Sequence, residues 1–491
     1  HANIFDAAMN LGSKAEGFGN NILPAMPQLV KIFQSRRCSG ALTSLLGPGY
    51  LLHPHRFCHK SMPGRQAQTW HRDSCWGKWH PRNHCPLWVM ALYFPQDTPK
   101  ELGPTDILPR SQYYNKDEGA KSHFGSARFS DEEVASGTPA SHWRVQPRRL
   151  VCQAGTVVLM HYDLWHRGPA NLSRDGIRFM FKFQFSRMLS PACMPPTWNH
   201  CTHTKPDWRE LMGHDSDDAP AQFSRLVPVW QGVWEWLCSG DPAGGADAGP
   251  HYDSRNWAAE LHKWLPDLAL KYDHNEPSRV AAAWHLGRLA ATCAEWTETL
   301  IVELDHMHLR GRVVMQVLEA LGHHALVPLM ASQLVNDERK RKTSPEVIRS
   351  LGRIFDDFNS AETGARETVE LLVDLLSNST DVNVRSCAAE ALGSIPLEES
   401  ACALLRNLAE NSESDGDIRA SAFHSLLRLL EAGHLDDHLE GFREQALAGQ
   451  YRDQDRYVTA YAAEAVHRID HRLDLRREGK DVTSVRAPPL I

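Results

Sequence analysis

The chain has 491 residues, more than one ordinary core accommodates, so two or three domains are expected. Hydrophobic residues make up 42%, charged residues 23%, and the net charge is −7. These values describe a soluble globular protein and argue against a dominant nucleic-acid or membrane surface. No apolar run approaches the roughly 18 residues of a membrane span. The 11 cysteines follow no regular spacing, which predicts reduced thiols and a cytoplasmic setting. The sequence opens at His1 without Met or a signal-like segment, and a targeting segment trimmed upstream is compatible with it.

In chain order, the first candidate feature is "TWHRDSCWGKWH" at 69–80. His71 and Asp73 are two apart, so on a strand their side chains share a face. With 27 His in the chain, one such pair carries little weight, and His161 with Asp163 repeats it. Short apolar runs at 87–96 and 156–161 predict strands. Residues 177–187 alternate strictly: Ile177, Phe179, Phe181, Phe183 and Phe185 point one way, and Arg178, Met180, Lys182, Gln184 and Ser186 the other. The Phe stripe predicts packing against helices. The spacing further predicts a hairpin turning near Leu172, which would set His166 opposite Arg178. Several short strands with turn clusters between them suggest a barrel or a double-sheet jelly roll.

A Gly, Ala, Asp and Pro-rich stretch at 239–254 marks a linker or long loop. Beyond it the period becomes helical and repetitive. "RVAAAWHLGRL" at 279–289, "RSCAAEALGSI" at 385–395 and "IRASAFHSLLRLL" at 418–430 fit one frame. Leu286, Leu321, Leu351, Leu392, Leu426 and Val466 recur 30 to 41 residues apart, the pattern of an α-solenoid. This half resembles HEAT-like repeats. The division is therefore 1–238 for a β-rich domain, 239–254 for the linker, 255–475 for the solenoid and 476–491 for a tail.

A His and a carboxylate on one face, with a second His from another strand, form the 2-His-1-carboxylate triad of non-haem Fe(II) sites, which leaves metal positions open. His166 supplies that second His. A guanidinium such as Arg178 can hold a carboxylate through two parallel hydrogen bonds.

Three pieces together carry a resemblance: "TWHRD" at 69–73, "ALYFPQDTPKELGPTDILPRS" at 91–111 and "GTVVLMHYDLWHRGPANLSRDGIR" at 155–178. The first half resembles the phytanoyl-CoA dioxygenase family of Fe(II)/2-oxoglutarate oxygenases, over roughly residues 40–190. The resemblance implies a double-stranded β-helix with flanking helices. It implies iron ligands His71, Asp73 and His166, with Arg178 on the far carboxylate of 2-oxoglutarate. Lys60 and Thr105 stand where members carry further cosubstrate contacts. The family's Pro-Gly-Ser-His stretch reads "LPRSQ" at 108–112, which bears on the substrate pocket. The implied reaction consumes O2 and 2-oxoglutarate, releases succinate and CO2, and hydroxylates an unactivated C–H bond of a small-molecule or acyl substrate. Desaturation or cyclisation is the alternative chemistry. A non-catalytic HEAT scaffold with a degenerate jelly roll is the alternative function.

Trp76 and Trp79 are candidates for the substrate mouth, and Lys182 for a substrate contact. His161 and Asp163 are a competing ligand pair, disfavoured because His166 falls on the opposite face of the same segment. Cys75, His80, His84 and Cys85 could instead suggest zinc, but lack the usual Cys-x2–4-Cys pair. The solenoid predicts a protein partner, self-association, or a cover over the active-site mouth.

Overall fold

A computed structural model describes residues 1–11, 22–73, 84–113, 147–193, 207, 223–239, 256–270, 276–307, 311–325, 329, 345–356, 365–395, 399–411 and 414–480. Most of the predicted linker and the tail from residue 481 lie outside them.

Among the described residues, four helices open the chain: α1 (Ala2–Leu11), α2 (Ile22–Ala25), α3 (Gln28–Phe33) and α4 (Arg36–Leu46). The described strands that follow are β1 (Leu51–Leu52), β2 (Phe57–Ser61), β3 (Trp88–Tyr93), β4 (Asp106–Ile107), β5 (Arg148–Arg149), β6 (Val157–His161), β7 (His166–Arg167) and β8 (Arg178–Ser186). The strands expected at 87–96, 156–161 and 177–187 are β3, β6 and β8. β8 is the spine of a five-stranded antiparallel sheet, with β3 on one side and β1 and β2 on the other; β6 lies beyond β3. A second sheet runs β5-β4-β7, and His71 bridges His166 at its edge.

The alternation of β8 decides what each face meets. Phe179, Phe181, Phe183 and Phe185 are fully buried under the N-terminal helices, in one cluster with Ile4, Phe33 and Leu42. The Phe33 ring meets that of Phe183 edge-on at 4.5 Å. Each buried Phe contributes about 1.5–3 kcal/mol over its exposed state. The other face of β8 carries Arg178, Lys182 and Gln184, also buried. It lines the space between the two sheets.

The predicted hairpin does not form. β7 belongs to the second sheet and β8 to the first. The connection crosses between sheets at Asn171, whose amide donates to Ser61 O and Gly176 O, both at 2.9 Å. Its Oδ1 accepts from Ser173 N and Oγ. A turn tied to β2 in this way draws β7 away from β8.

The helical half contains α5 (Val227–Ser239), α6 (Trp257–Leu268), α7 (Glu276–Ala290), α8 (Ala294–His306), α9 (Gly311–Leu321), α10 (Pro345–Asp356), α11 (Ala365–Asn378), α12 (Val382–Leu392), α13 (Glu399–Glu410), α14 (Gly416–Ala432), α15 (Leu439–Arg452) and α16 (Arg456–Arg477). Helices α7, α9, α10, α12, α14 and α16 stack in sequence as an inner row, and α8, α11, α13 and α15 form an outer row. The recurring Leu286, Leu321, Leu351, Leu392 and Leu426 all sit in the inner row, fully buried. The Gly after such a Leu marks where neighbours touch: a Cβ on Gly352 would lie 2.5 Å from Ala391 Cα. Asp381, Asp415 and Asp455 cap α12, α14 and α16 through their side chains.

The inner row faces the sheet domain. Leu51, Met188 and Leu189 join the solenoid core. Arg428 Nε donates to Met188 O at 3.1 Å, and the Tyr461 hydroxyl meets His53 Nε2 at 2.9 Å. Arg468, fully buried, pairs with Glu431 and Glu464 and donates to the carbonyls of Gly49 and Tyr50. At these contacts the inner row packs against the chain's own N-terminal domain. Among the described residues no helix is long and apolar enough to cross a membrane.

Candidate metal centre

His71 and His166 face each other across the antiparallel bridge, exchanging N–H···O bonds of 3.0 and 2.9 Å. Their rings lie 4.7 Å apart. With Asp73 they form the one group among the described residues whose potential ligand atoms all fall within 4.8 Å of one another.

Both imidazoles are oriented from behind. His71 Nδ1 lies 2.9 Å from Thr69 O, and His166 Nδ1 lies 2.9 Å from Leu164 O. A carbonyl only accepts, so each Nδ1 donates and each Nε2 is the nitrogen left to a metal. Burial pushes His166 down to about 4, against the pull of Asp73, so its ring is neutral at ordinary pH.

Asp73 divides its oxygens. Oδ1 lies 3.9 Å from His166 Nε2, and Oδ2 accepts from Lys182 Nζ at 2.7 Å. Burial alone would raise its pKa, but the Lys182 ammonium and the two His hold the carboxyl well below the usual carboxylate range. Lys182, expected as a substrate contact, lines the pocket and lies against the carboxylate.

The pocket around the triad is lined by Arg178, Thr105, His59, Ser61, Leu92 and Met180 among others. Arg178 is 4% exposed; its Nη1 donates to Gly103 O at 2.6 Å, and its Nε has no hydrogen-bond partner. Thr105 Oγ1 and Ser61 Oγ are likewise buried without partners. Three unpaired polar groups around one pocket each cost free energy unless something else binds them.

Several expectations change here. Lys60 does not line the pocket. Strand alternation turns His59 and Ser61 inward and leaves Lys60 beside Cys58, on the face of the aromatic core. Arg178 reaches the pocket from the opposite sheet, not from across a hairpin. His161 stays outside, with its Nδ1 accepting from Asp163 N at 3.1 Å. His84 and Cys85 give their backbone N–H groups to Glu319 Oε1 at 3.0 and 3.1 Å. Cys75, Trp76, Trp79 and His80 lie outside the described residues. His59, Ser61 and the Gly103 carbonyl were not anticipated; only the alternation of β2 signalled the first two.

Residues 9–180 match the family model of phytanoyl-CoA dioxygenase, PhyH, and residues 346–427 match that of HEAT repeats. The two matches place a PhyH-like region ahead of a HEAT-like one in this chain. Similar solved structures include a non-heme monooxygenase, the ThoJ–nickel complex (18% identity, 30% of this chain and 49% of that one, TM-score 0.22). HygX from Streptomyces hygroscopicus, with nickel and 2-oxoglutarate bound, is 16% identical over 33% of this chain and 69% of that one, with a TM-score of 0.24. The carbocyclase SnoK from nogalamycin biosynthesis is 19% identical over 38% and 60%, with a TM-score of 0.23. The chain spans about half the length of the first of these structures. No curated protein matches the sequence.

Proposed function

We propose that the protein is a non-haem Fe(II)/2-oxoglutarate-dependent dioxygenase that hydroxylates a C–H bond of a small-molecule or acyl substrate. The observation that carries this reading is the convergence of His71, Asp73 and His166 beside the buried, incompletely paired Arg178. The donor set, two imidazoles and one carboxylate, suits a divalent iron with open positions. Nε2 of His71 and His166 and a carboxylate oxygen of Asp73 would hold the metal. Arg178, with the hydroxyls of Thr105 and Ser61, would take the far carboxylate of 2-oxoglutarate. When bound, iron and 2-oxoglutarate supply the oxidative chemistry, with O2 consumed and succinate and CO2 released.

The chain's own groups set the conditions for it. The Thr69 and Leu164 carbonyls fix both His tautomers. Lys182 holds one oxygen of Asp73 and leaves the other toward the imidazoles. Leu92 and Met180 supply an apolar part of the pocket wall. A carboxylate at position 73 favours hydroxylation over halogenation, because it fills the position a halide would need. We read the two antiparallel sheets, facing each other across the pocket, as the halves of a double-stranded β-helix within 1–238. The solenoid then spans 255–475, with its outer row as the surface for a protein partner or self-association.

Anaerobic titration with Fe(II) and then 2-oxoglutarate tests this. Saturable binding of both is expected, with O2-dependent succinate release. His71→Ala, Asp73→Ala and His166→Ala should abolish metal binding, and Asp163→Ala should retain it. Loss with Asp163→Ala and retention with Asp73→Ala would move the site to His161 and Asp163. A wild-type chain that binds neither ligand would leave a HEAT scaffold carrying an inert sheet domain.

A further inference from the structure

We propose that the helical repeats are part of the metal site, and that Trp284 on α7 is a positioning residue for His71 and His166. The inference rests on reading those histidines, with Asp73, as metal ligands. Trp70 and Trp165 immediately precede them. On paired strands successive side chains leave on opposite faces, so what anchors these two Trp fixes the back of the ligand pair. Both are fully buried, and they are braced crosswise: Arg72 lies over the Trp165 ring at 4.7 Å, and Arg167 over the Trp70 ring at 4.6 Å.

The cluster that buries them is not made by the sheet domain alone. Trp70 and Trp165 share it with Val229 and Trp236 of α5, with Val280, Ala281 and Trp284 of α7, and with Ala320 of α9. Trp284 is fully buried and its ring has no slack on the α5 side, where a Cβ on Gly232 would lie 2.3 Å from Trp284 Cζ3. Arg288, one turn further along α7, pairs with Glu235 of α5. Glu319 of α9 receives the His84 and Cys85 N–H groups, and Cys85 belongs to the same cluster. The chain is thus gripped by the inner row on both sides of the ligand segment. Interiors pack densely and pass strain on, so a displaced Trp284 ring reaches the ligand strands through Trp70 and Trp165.

The test reads Co(II) affinity on the full chain by calorimetry and visible absorption. Trp284→Ala should weaken Co(II) binding about tenfold or more, within the range of outer-sphere metal-site changes. Trp284→Phe should recover most of that loss. Leu405→Ala removes a fully buried side chain of the outer helix α13 and should leave the affinity unchanged. Wild-type affinity in Trp284→Ala, or an equal loss in Leu405→Ala, would overturn the proposal. If Trp284→Ala does not fold, Gly232→Ala presses on the same ring and is judged by the same two outcomes. His71→Ala runs alongside. If it abolishes binding while Trp284→Ala does not, only the positioning role fails. If wild type binds no Co(II) through His71, the ligand reading fails and this proposal falls with it.

Discussion

At the scale of single residues, the site is an arrangement of lone pairs and charges fixed before any ligand arrives. The Thr69 and Leu164 carbonyls decide which nitrogen of each His is available. Lys182 decides which oxygen of Asp73 is engaged. Arg178 is fixed at one end by Gly103 O, with its Nε unpaired. A guanidinium held this way can present a flat pair of donors to a carboxylate, which a Lys ammonium cannot match. Arg178→Lys is therefore expected to raise the dissociation constant for 2-oxoglutarate about 10- to 100-fold, the scale of a lost charge-assisted hydrogen bond. Metal affinity should stay near wild type. Calorimetric titration of both ligands checks this; equal 2-oxoglutarate binding by the two proteins would remove Arg178 from the cosubstrate site. His71, Asp73, His166 and Arg178 were legible because their residue types carry the chemistry. Lys182 was legible as inward-facing but not in its contact. A strand pattern gives the face of a residue and not its neighbour across the pocket.

At the scale of elements, alternation was the reliable signal and connection geometry the weak one. The strict period of β8 sorted its Phe face from its pocket face correctly. The same rule on β2 turns His59 and Ser61 to the pocket and Lys60 to the other face. The hairpin failed for a different reason. The crossing at Asn171 depends on Ser61 O, more than a hundred residues away, and no local spacing encodes that bond. A companion turn sits at Gly103, with φ at +66° and its would-be Cβ 2.4 Å from Ala170 O. Only Gly fits there, and its carbonyl is what Arg178 grips. Gly103→Ala is expected to cost about 1–3 kcal/mol of stability through backbone strain. It should also weaken 2-oxoglutarate binding by moving the carbonyl. Urea unfolding and titration measure the two effects separately. A destabilised variant with unchanged 2-oxoglutarate affinity would show that Arg178 does not depend on this turn.

At the scale of the molecule, the repeats were legible because five of the six inner helices bury a Leu that recurs every 30 to 41 residues. Their docking was not, because its apolar contacts, such as Leu51, Met188 and Leu189, are scattered singly and its polar ones have no period: His53, Arg428, Tyr461 and Arg468. These residues also make the interface sensitive to acid. His53 is fully buried, between β1 and α16, and its pKa is pushed well below the ordinary value by burial and then by His55, His424 and Arg56. His424 on α14 is pushed to about 4, by burial first and then by Arg428, with Glu390 pulling the other way and Arg468 adding to the drop. Both rings are neutral when folded, while an unfolded His takes a proton near pH 6.5. Below that pH the unfolded chain binds more protons than the folded one, so stability falls with falling pH. For His424 the loss develops from about pH 6.5 and levels off once pH drops through its folded value of about 4. For His53 it continues to lower pH. Thermal unfolding is expected to show a lower midpoint at pH 5 than at pH 7, accompanied by proteolytic access to the segment around His53. His53→Gln combined with His424→Gln should flatten that dependence while lowering stability at pH 7. A double variant that keeps the wild-type slope would place the acid sensitivity elsewhere, in a carboxylate such as Glu390 on the same inner face.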